Sequence, residues 1–166
     1  MTPDTFQHLY DYHFAANRKV WNEGELQLTK QQFIAKVDYS VGSIRNHVIH
    51  LINVDNAWFA DLRGLTSFKR LNPVHYTDFD KIRAIWDEVE ATMKTYLATL
   101  DADMLNSKPI KEPDTAHLTV AQSLLHIANH GTDHRAQMLM LLNQAGVETF
   151  PQDYAFYLME PEWFGA

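Results

Sequence analysis

Apolar residues recur every three to four positions along four long stretches of the chain. The stretches cover roughly residues 3–21, 41–62, 77–100 and 119–146, and each is long enough for a full helix. No segment longer than a few residues alternates apolar and polar side chains as a strand would. The pattern predicts an all-α protein: a four-helix bundle forming a single domain over residues 1–166.

Start and stop signals bound these stretches. Ser40 or Ser43 is the expected N-cap of the second helix, and Thr77 or Asp78 that of the third. The fourth opens with a capping-box pattern over 119–122, and glycines at 24, 64 and 146 end three of the four. A short helical piece is expected near 31–35, and 101–118, with two prolines, is expected to be a loop or a small hairpin.

The segment after residue 146 is rich in aromatic side chains. We expect a short helical or aromatic C-terminal tail that packs on the bundle or on a partner.

Composition narrows the classes of function. The formal net charge is −7 and the chain has no cysteine, which argues against nucleic-acid binding and leaves only imidazole and carboxylate groups as metal ligands. No apolar run approaches the ~20 residues of a membrane span, and the first residues lack the features of a signal peptide. We therefore expect a cytoplasmic protein with no membrane or nucleic-acid partner.

Five of the nine histidines fall in two helical stretches. His47 and His50 are three residues apart in the second helix, and His126, His130 and His134 are four apart in the fourth. Residues at these spacings lie on one helix face, and both rows border the apolar stripes. Clustered imidazoles beside a core are costly without polar partners. A shared divalent metal would provide one, with open positions for water or substrate. The alternative is a structural bundle with hydrogen-bonded histidines.

Several enzyme motifs are absent. The stretch 126–130 lacks the glutamate of a zinc-peptidase helix, and the resemblance of 130–134 to an inverted zinc-peptidase motif is weak. There is no Glu-x-x-His di-iron pattern, no nucleophile elbow and no phosphate-binding loop. No catalytic residue can be assigned from the sequence.

Two segments resemble the DinB-like family, the damage-inducible, YfiT-related proteins. They are residues 125–138 (LHIANHGTDHRAQM), which lead to QAG at 144–146, and residues 42–59 (GSIRNHVIHLINVDNAWF). The resemblance covers nearly the whole chain and implies a four-helix bundle, often a homodimer. By position it places a metal on His50, His130 and His134, with His47 and His126 as pocket or outer-sphere residues.

The resemblance also implies a class of chemistry. Relatives with known activity use the metal to bind a low-molecular-weight thiol such as mycothiol, bacillithiol or glutathione. We therefore expect a divalent ion, zinc or nickel, a small-molecule substrate and possible use of a thiol co-substrate. The leading hypothesis is a metal-dependent transferase that acts through a thiol. The alternatives are a metal-dependent hydrolase and a non-catalytic dimeric stress protein that binds metal or a small ligand.

Three further residues are candidates near the metal. Asp55 is a candidate carboxylate partner of a ligand ring, and the alternative is a solvated or capping charge. Arg135 either binds a substrate carboxylate through two parallel hydrogen bonds or is an exposed charge that faces water. Trp58 is a candidate for lining the pocket. His13 lies near the stripe of the first helix with Asn17, where it could line the pocket, but it is not expected to be a ligand.

Overall fold

The computed structural model describes residues 1–165, apart from the side chain of Glu25. Within this range the chain is helical and contains no strand. The α-helices are α1 (Pro3–Glu23), α2 (Lys30–Ile34), α3 (Ile44–Leu62), α4 (Phe79–Leu97), α5 (Ala102–Asn106), α6 (Val120–Gln144) and α7 (Tyr154–Met159). Short 3-10 turns follow at Glu25–Gln27, Pro73–His75 and Pro161–Phe164. The predicted all-α fold is confirmed.

Side-chain caps explain where the long helices begin. Ser43 Oγ accepts from the backbone N–H of Asn46, so α3 starts at Ile44, three residues later than the apolar pattern predicts. Asp78 caps α4 in the same way, and the predicted capping box of α6 is present at Thr119. In each case the cap satisfies an N–H that the first helical turn leaves unpaired.

The four long helices share one core. α3 packs against α4 on one side and α6 on the other, and α1 packs against α6 and α4. The predicted stripes of α4 and α6 are buried in it, as shown by Ile82, Trp86, Met93, Leu124, Ile127, Met138 and Leu142. In α3 the apolar pattern predicts a buried stripe of Ile44, Val48, Leu51, Val54, Trp58 and Leu62. The prediction is only partly right, because Val54 and Trp58 are half-buried, and Ile49, Ile52 and Phe59 also lie in the core. The row that carries His50 therefore lies at the edge of the core.

The connection between α4 and α6 contains a helix where a hairpin was one of two expectations. α5 (Ala102–Asn106) begins at Asp101, whose side chain accepts from the N–H of Met104, and it buries Leu105. The hairpin alternative is wrong, because a capped five-residue helix places the apolar side chain of this segment in the core.

The aromatic tail packs on its own chain. Tyr157 and Phe164 form a second buried cluster with Tyr12 and Ala16 of α1, and the hydroxyl of Tyr12 donates to the carbonyl of Gln152 at 2.6 Å. The aromatic tail and the stripe of α4 thus both pack within one chain. The homodimer stays a prediction.

No helix within residues 1–165 is both long enough and apolar enough to cross a membrane.

Candidate metal centre

α3 and α6 bring three histidines together. The imidazole nitrogens of His50, His130 and His134 all lie within 4.8 Å of one another, and the Nε2 atoms of His50 and His130 are 3.3 Å apart. His50 and His130 are half-buried, whereas His134 is 7% exposed. These are the three residues that the sequence predicts as ligands, and we call them the histidine trio.

The environment favours the neutral form of the trio. Burial, reinforced by the charge of neighbouring histidines, lowers the pKa of His50 to about 4 and that of His130 to about 4. Burial also lowers the pKa of His134. Neutral imidazole is the form that binds metal ions, so near neutral pH the trio carries free lone pairs rather than positive charge.

The trio fits a divalent transition metal. Two nitrogens that share a tetrahedral zinc ion at ~2.0–2.1 Å lie about 3.3 Å apart, which is the separation of the Nε2 atoms of His50 and His130. The Nδ1 atoms of His130 and His134 are buried and have no hydrogen-bond partner in the structure. An ion held on the Nε2 atoms of His50 and His130 would not satisfy Nδ1 of His130, so the fit rests on the convergence of the three rings and not on these unpartnered atoms.

His47 lies beside the trio without joining it. The ring is fully buried, with its centroid 5.6 Å from that of His134. Its Nδ1 lies 3.1 Å from the carbonyl oxygen of Ser43 and its Nε2 3.1 Å from Oε1 of Gln137. Both ring nitrogens are engaged, which leaves neither to bind an ion.

Trp58 and His126 lie beside the trio. Trp58 follows His50 by about two helical turns in α3, and His126 precedes His130 by one turn in α6. Their ring centroids are 4.8 Å apart, and that of His126 is 5.9 Å from that of His130. His126 is exposed and Trp58 is half-buried. The pair forms an aromatic edge beside the trio, and its predicted role in a pocket for a small molecule stays a prediction.

Asp55 is buried, not solvated. It is 2% exposed, and its Oδ2 lies 3.6 Å from Nε2 of His13. No hydrogen bond joins Asp55 to a ring of the trio in the described structure, but its negative charge partly opposes the lowering of the pKa of His50 and His130. The carboxylate is therefore close to the trio, and its role towards a ligand ring stays a prediction.

Arg135 matches neither of its two sequence-based alternatives. The side chain is fully buried. It donates to Oδ1 of Asn17 at 2.9 Å, to Oε1 of Gln152 at 2.9 Å and to Oγ1 of Thr132 at 3.0 Å. It therefore neither faces water nor offers a free fork to a substrate carboxylate. Its hydrogen bonds tie α6 to α1 and to the start of the tail.

His13 is the residue that sequence reasoning undervalued. It is fully buried, and its Nδ1 lies 3.3 Å from Nη1 of Arg135. Its Nε2 lies 3.2 Å from Nδ2 of Asn17, whose Oδ1 accepts from Arg135, and 3.6 Å from Oδ2 of Asp55. A buried chain of Arg135, His13 and Asp55 thus runs behind the trio.

A signal for this chain was present in the sequence. His13 and Asn17 share one face of α1, and Gly131 interrupts α6 directly after a predicted ligand. A lone glycine inside a helix costs ~1 kcal/mol and often marks close packing. Here a Cβ on Gly131 would lie 2.4 Å from Cε1 of His13.

Comparison with known proteins agrees with this architecture. The family model described as DinB family matches residues 1–163. Protein DinB of Bacillus subtilis (strain 168) is 28% identical over 158 residues, covering 90% of this chain and 91% of the relative.

Proposed function

The chain belongs to the DinB family, and we propose that it is a metal-dependent enzyme whose ion is held by His50, His130 and His134. The proposed reaction class is transfer of a group to or from the sulfur of a small thiol, with hydrolysis as the second candidate. The homodimer and the metal identity, zinc or nickel, belong to the same proposal.

One observation carries the proposal. The trio converges at the exposed edge of the α3–α6 contact, with two of its rings half-buried. Three protein ligands with an open side are typical of catalytic metal sites, whereas structural sites are closed by four ligands. An ion in this position would supply Lewis-acid activation by lowering the pKa of a coordinated thiol or water.

The absence of cysteine from the sequence supports a thiol co-substrate. Since the chain has no thiol of its own, any sulfur nucleophile must enter from solution. The protein residues would hold and orient that molecule: the trio at its reacting end, and Trp58 with His126 along its side.

Metal content tests the proposal first. We expect protein purified without a histidine tag to carry about one equivalent of a divalent transition metal, measured by mass spectrometry. His130→Ala should lose nearly all of it. His126→Ala is the matched control, because it removes an imidazole one turn earlier on the same helix, outside the trio. No metal uptake by the wild type, or equal retention by both variants, would overturn the site.

The reaction class needs a second measurement. Cobalt(II)-loaded protein should develop a sulfur-to-metal absorption band when a small thiol is added. Metal binding without any response to thiols, together with metal-dependent cleavage of ester or amide probes, would favour the hydrolase. Metal binding with neither response would favour a non-catalytic module.

A further inference from the structure

One side chain of α1 contacts both of the helices that carry the histidine trio. α3 and α6 are neighbours in the bundle, and α1 packs against α6 and α4, so it lies diagonally across the bundle from α3. His13 nevertheless reaches both helices. Its ring packs on the backbone of Gly131 in α6, and its Nε2 lies 3.6 Å from Oδ2 of Asp55 in α3.

Both contacts of His13 lie close to ligands of the trio and on the core side of their helices. Gly131 directly follows His130, and Asp55 follows His50 by five residues. At about 100° per residue, Gly131 is rotated by about 100° from His130, and Asp55 by about 140° from His50. Gly131 and Asp55 are buried, whereas the two ligand rings are half-buried. His13 therefore lies behind the trio, at the point where α3 and α6 both meet it.

The ring of His13 is held in place from several directions. Its Nδ1 lies 3.3 Å from Nη1 of Arg135, and its Nε2 lies 3.2 Å from Nδ2 of Asn17. Tyr10 and Phe14 flank it on α1, with ring centroids 5.5 Å and 5.7 Å from its own. The ring is fully buried, so it cannot turn away from α6 without breaking these contacts.

Stability alone does not explain the polar residues around this ring. Asn17 and Asp55 are each 2% exposed, and His13 and Arg135 are fully buried. Burying polar and charged groups is costly, and apolar side chains of similar volume often replace them without loss of stability. The best-attested benefit of buried polar groups is that they fix the register of packed helices. At this level of the bundle, the helices whose register is fixed include those that carry the trio.

We propose that His13 is a positioning residue for the metal: its ring is a spacer behind the trio that sets how closely His50 and His130 approach. The inference rests on the proposed function, since it requires that the trio binds an ion. His13 acts through the packing of α3 and α6 and is not itself one of the ligands. The distance that it sets is the 3.3 Å separation between the Nε2 atoms of His50 and His130.

His13→Ala removes the spacer. α3 and α6 can then shift into the space that the ring leaves, and the ligands lose the separation that fits an ion. We expect the Kd for zinc, measured by competition with a chromophoric chelator, to rise about tenfold, as when other residues that orient metal ligands are lost. The visible absorption spectrum of cobalt(II)-loaded protein should also change, because it reports the geometry of the ligands.

Lys19→Met is the control for lost stability. Lys19 is buried on the same helix, but its hydrogen bonds go to Glu23 and to the C-terminal tail at Trp163. Its substitution should therefore destabilise the fold without changing the packing of α3 against α6. The Kd for zinc does not depend on the free energy of unfolding while the metal-free protein stays folded. We expect Lys19→Met to bind zinc within about twofold of the wild type.

Gly131→Ala tests the same contact from α6. In the wild type the added methyl group collides with the ring of His13, so the Kd for zinc should rise. In a His13→Ala background the methyl group fills part of the empty space, so it should lower the Kd relative to His13→Ala alone. If His13→Ala does not fold, Gly131→Ala carries the test. Its control is Ala136→Gly, at an exposed position of the same helix, which should keep the wild-type Kd.

The outcomes distinguish this inference from the function on which it rests. If the wild type binds zinc, and His13→Ala and Gly131→Ala bind it as tightly with an unchanged cobalt spectrum, the positioning role is overturned and the metal site stands. Equal losses of affinity in His13→Ala and Lys19→Met would also overturn it, because affinity would then follow stability. If the wild type takes up no metal, the proposed function and this inference both fail. Circular dichroism of each variant establishes that it is folded.

Discussion

The ring of His13 packs directly on the backbone of Gly131, between two of the proposed metal ligands. A Cβ at position 131 would lie 2.4 Å from Cε1 and 2.8 Å from Nδ1 of His13, and 3.1 Å from Nη1 of Arg135. His13, Arg135 and the middle of α6 can therefore occupy their positions only if residue 131 has no side chain. The contact links the buried polar chain behind the trio to the helix that carries His130 and His134.

Gly131→Ala should destabilise the protein although it places alanine in a helix. The helix propensity of alanine favours the change by ~1 kcal/mol, but the collision with His13 has an overpacking cost of about 1–3 kcal/mol, so we expect a net loss of up to about 2 kcal/mol. Urea unfolding of the metal-free protein measures it.

The double variant provides the control. In a His13→Ala background the space is open, and Gly131→Ala should then be neutral or stabilising. If the alanine costs as much there as in the wild type, the contact with His13 is not the cause.

Acid should destabilise the metal-free protein through the trio. His50 and His130, each with a pKa lowered to about 4, stay neutral in the folded state down to that pH, whereas an unperturbed histidine in the unfolded chain takes up its proton near pH ~6.5. Between these values the unfolded state binds more protons. The free energy of unfolding therefore falls as the pH drops from about 6.5 towards about 4.

His130→Gln tests this dependence by removing one of the two groups. Urea unfolding of the chelator-treated protein across this pH range should show a shallower dependence for His130→Gln than for the wild type. His75→Gln, at an exposed position outside the trio, should keep the wild-type dependence. Equal slopes for His130→Gln and the wild type would contradict the assignment.

Lys19 should hold the C-terminal tail on α1. Its side chain is 2% exposed, and Nζ donates to the carbonyl of Trp163 at 2.8 Å and to Glu23 at 2.6 Å. Nζ also lies 4.1 Å from the centroid of the Trp163 ring. Lys19→Met keeps most of the stem but loses the charge, the hydrogen bonds and the cation–π contact, for an expected cost of about 2 kcal/mol.

Two readouts follow for this variant. Its free energy of unfolding should fall, and chymotrypsin should release tail fragments faster, as followed by mass spectrometry. Lys36→Met, at an exposed position, should behave as the wild type in both. A tail that remains as protected in Lys19→Met as in the wild type would show that the aromatic cluster alone holds it.

Local patterns in the sequence determined the secondary structure and which histidines share a helix face. The periodic stripes predict the four long helices, and polar residues such as Thr119 mark where they begin, because capping depends only on residues three apart. The spacing of His130 and His134 places them on one helix face for the same local reason. The resemblance to the DinB-like family then supplied His50, which the spacing of His47 and His50 could not select.

Tertiary packing decided the rest. The burial of Arg135 and the contact of His13 with Gly131 join residues from separate helices. Such contacts depend on how each helix is rotated and translated against its neighbours, which the period of a single helix does not specify. The sequence by itself determined which side chains share a face; only the packing of those faces decided which polar groups are buried with partners and which remain exposed to bind a ligand.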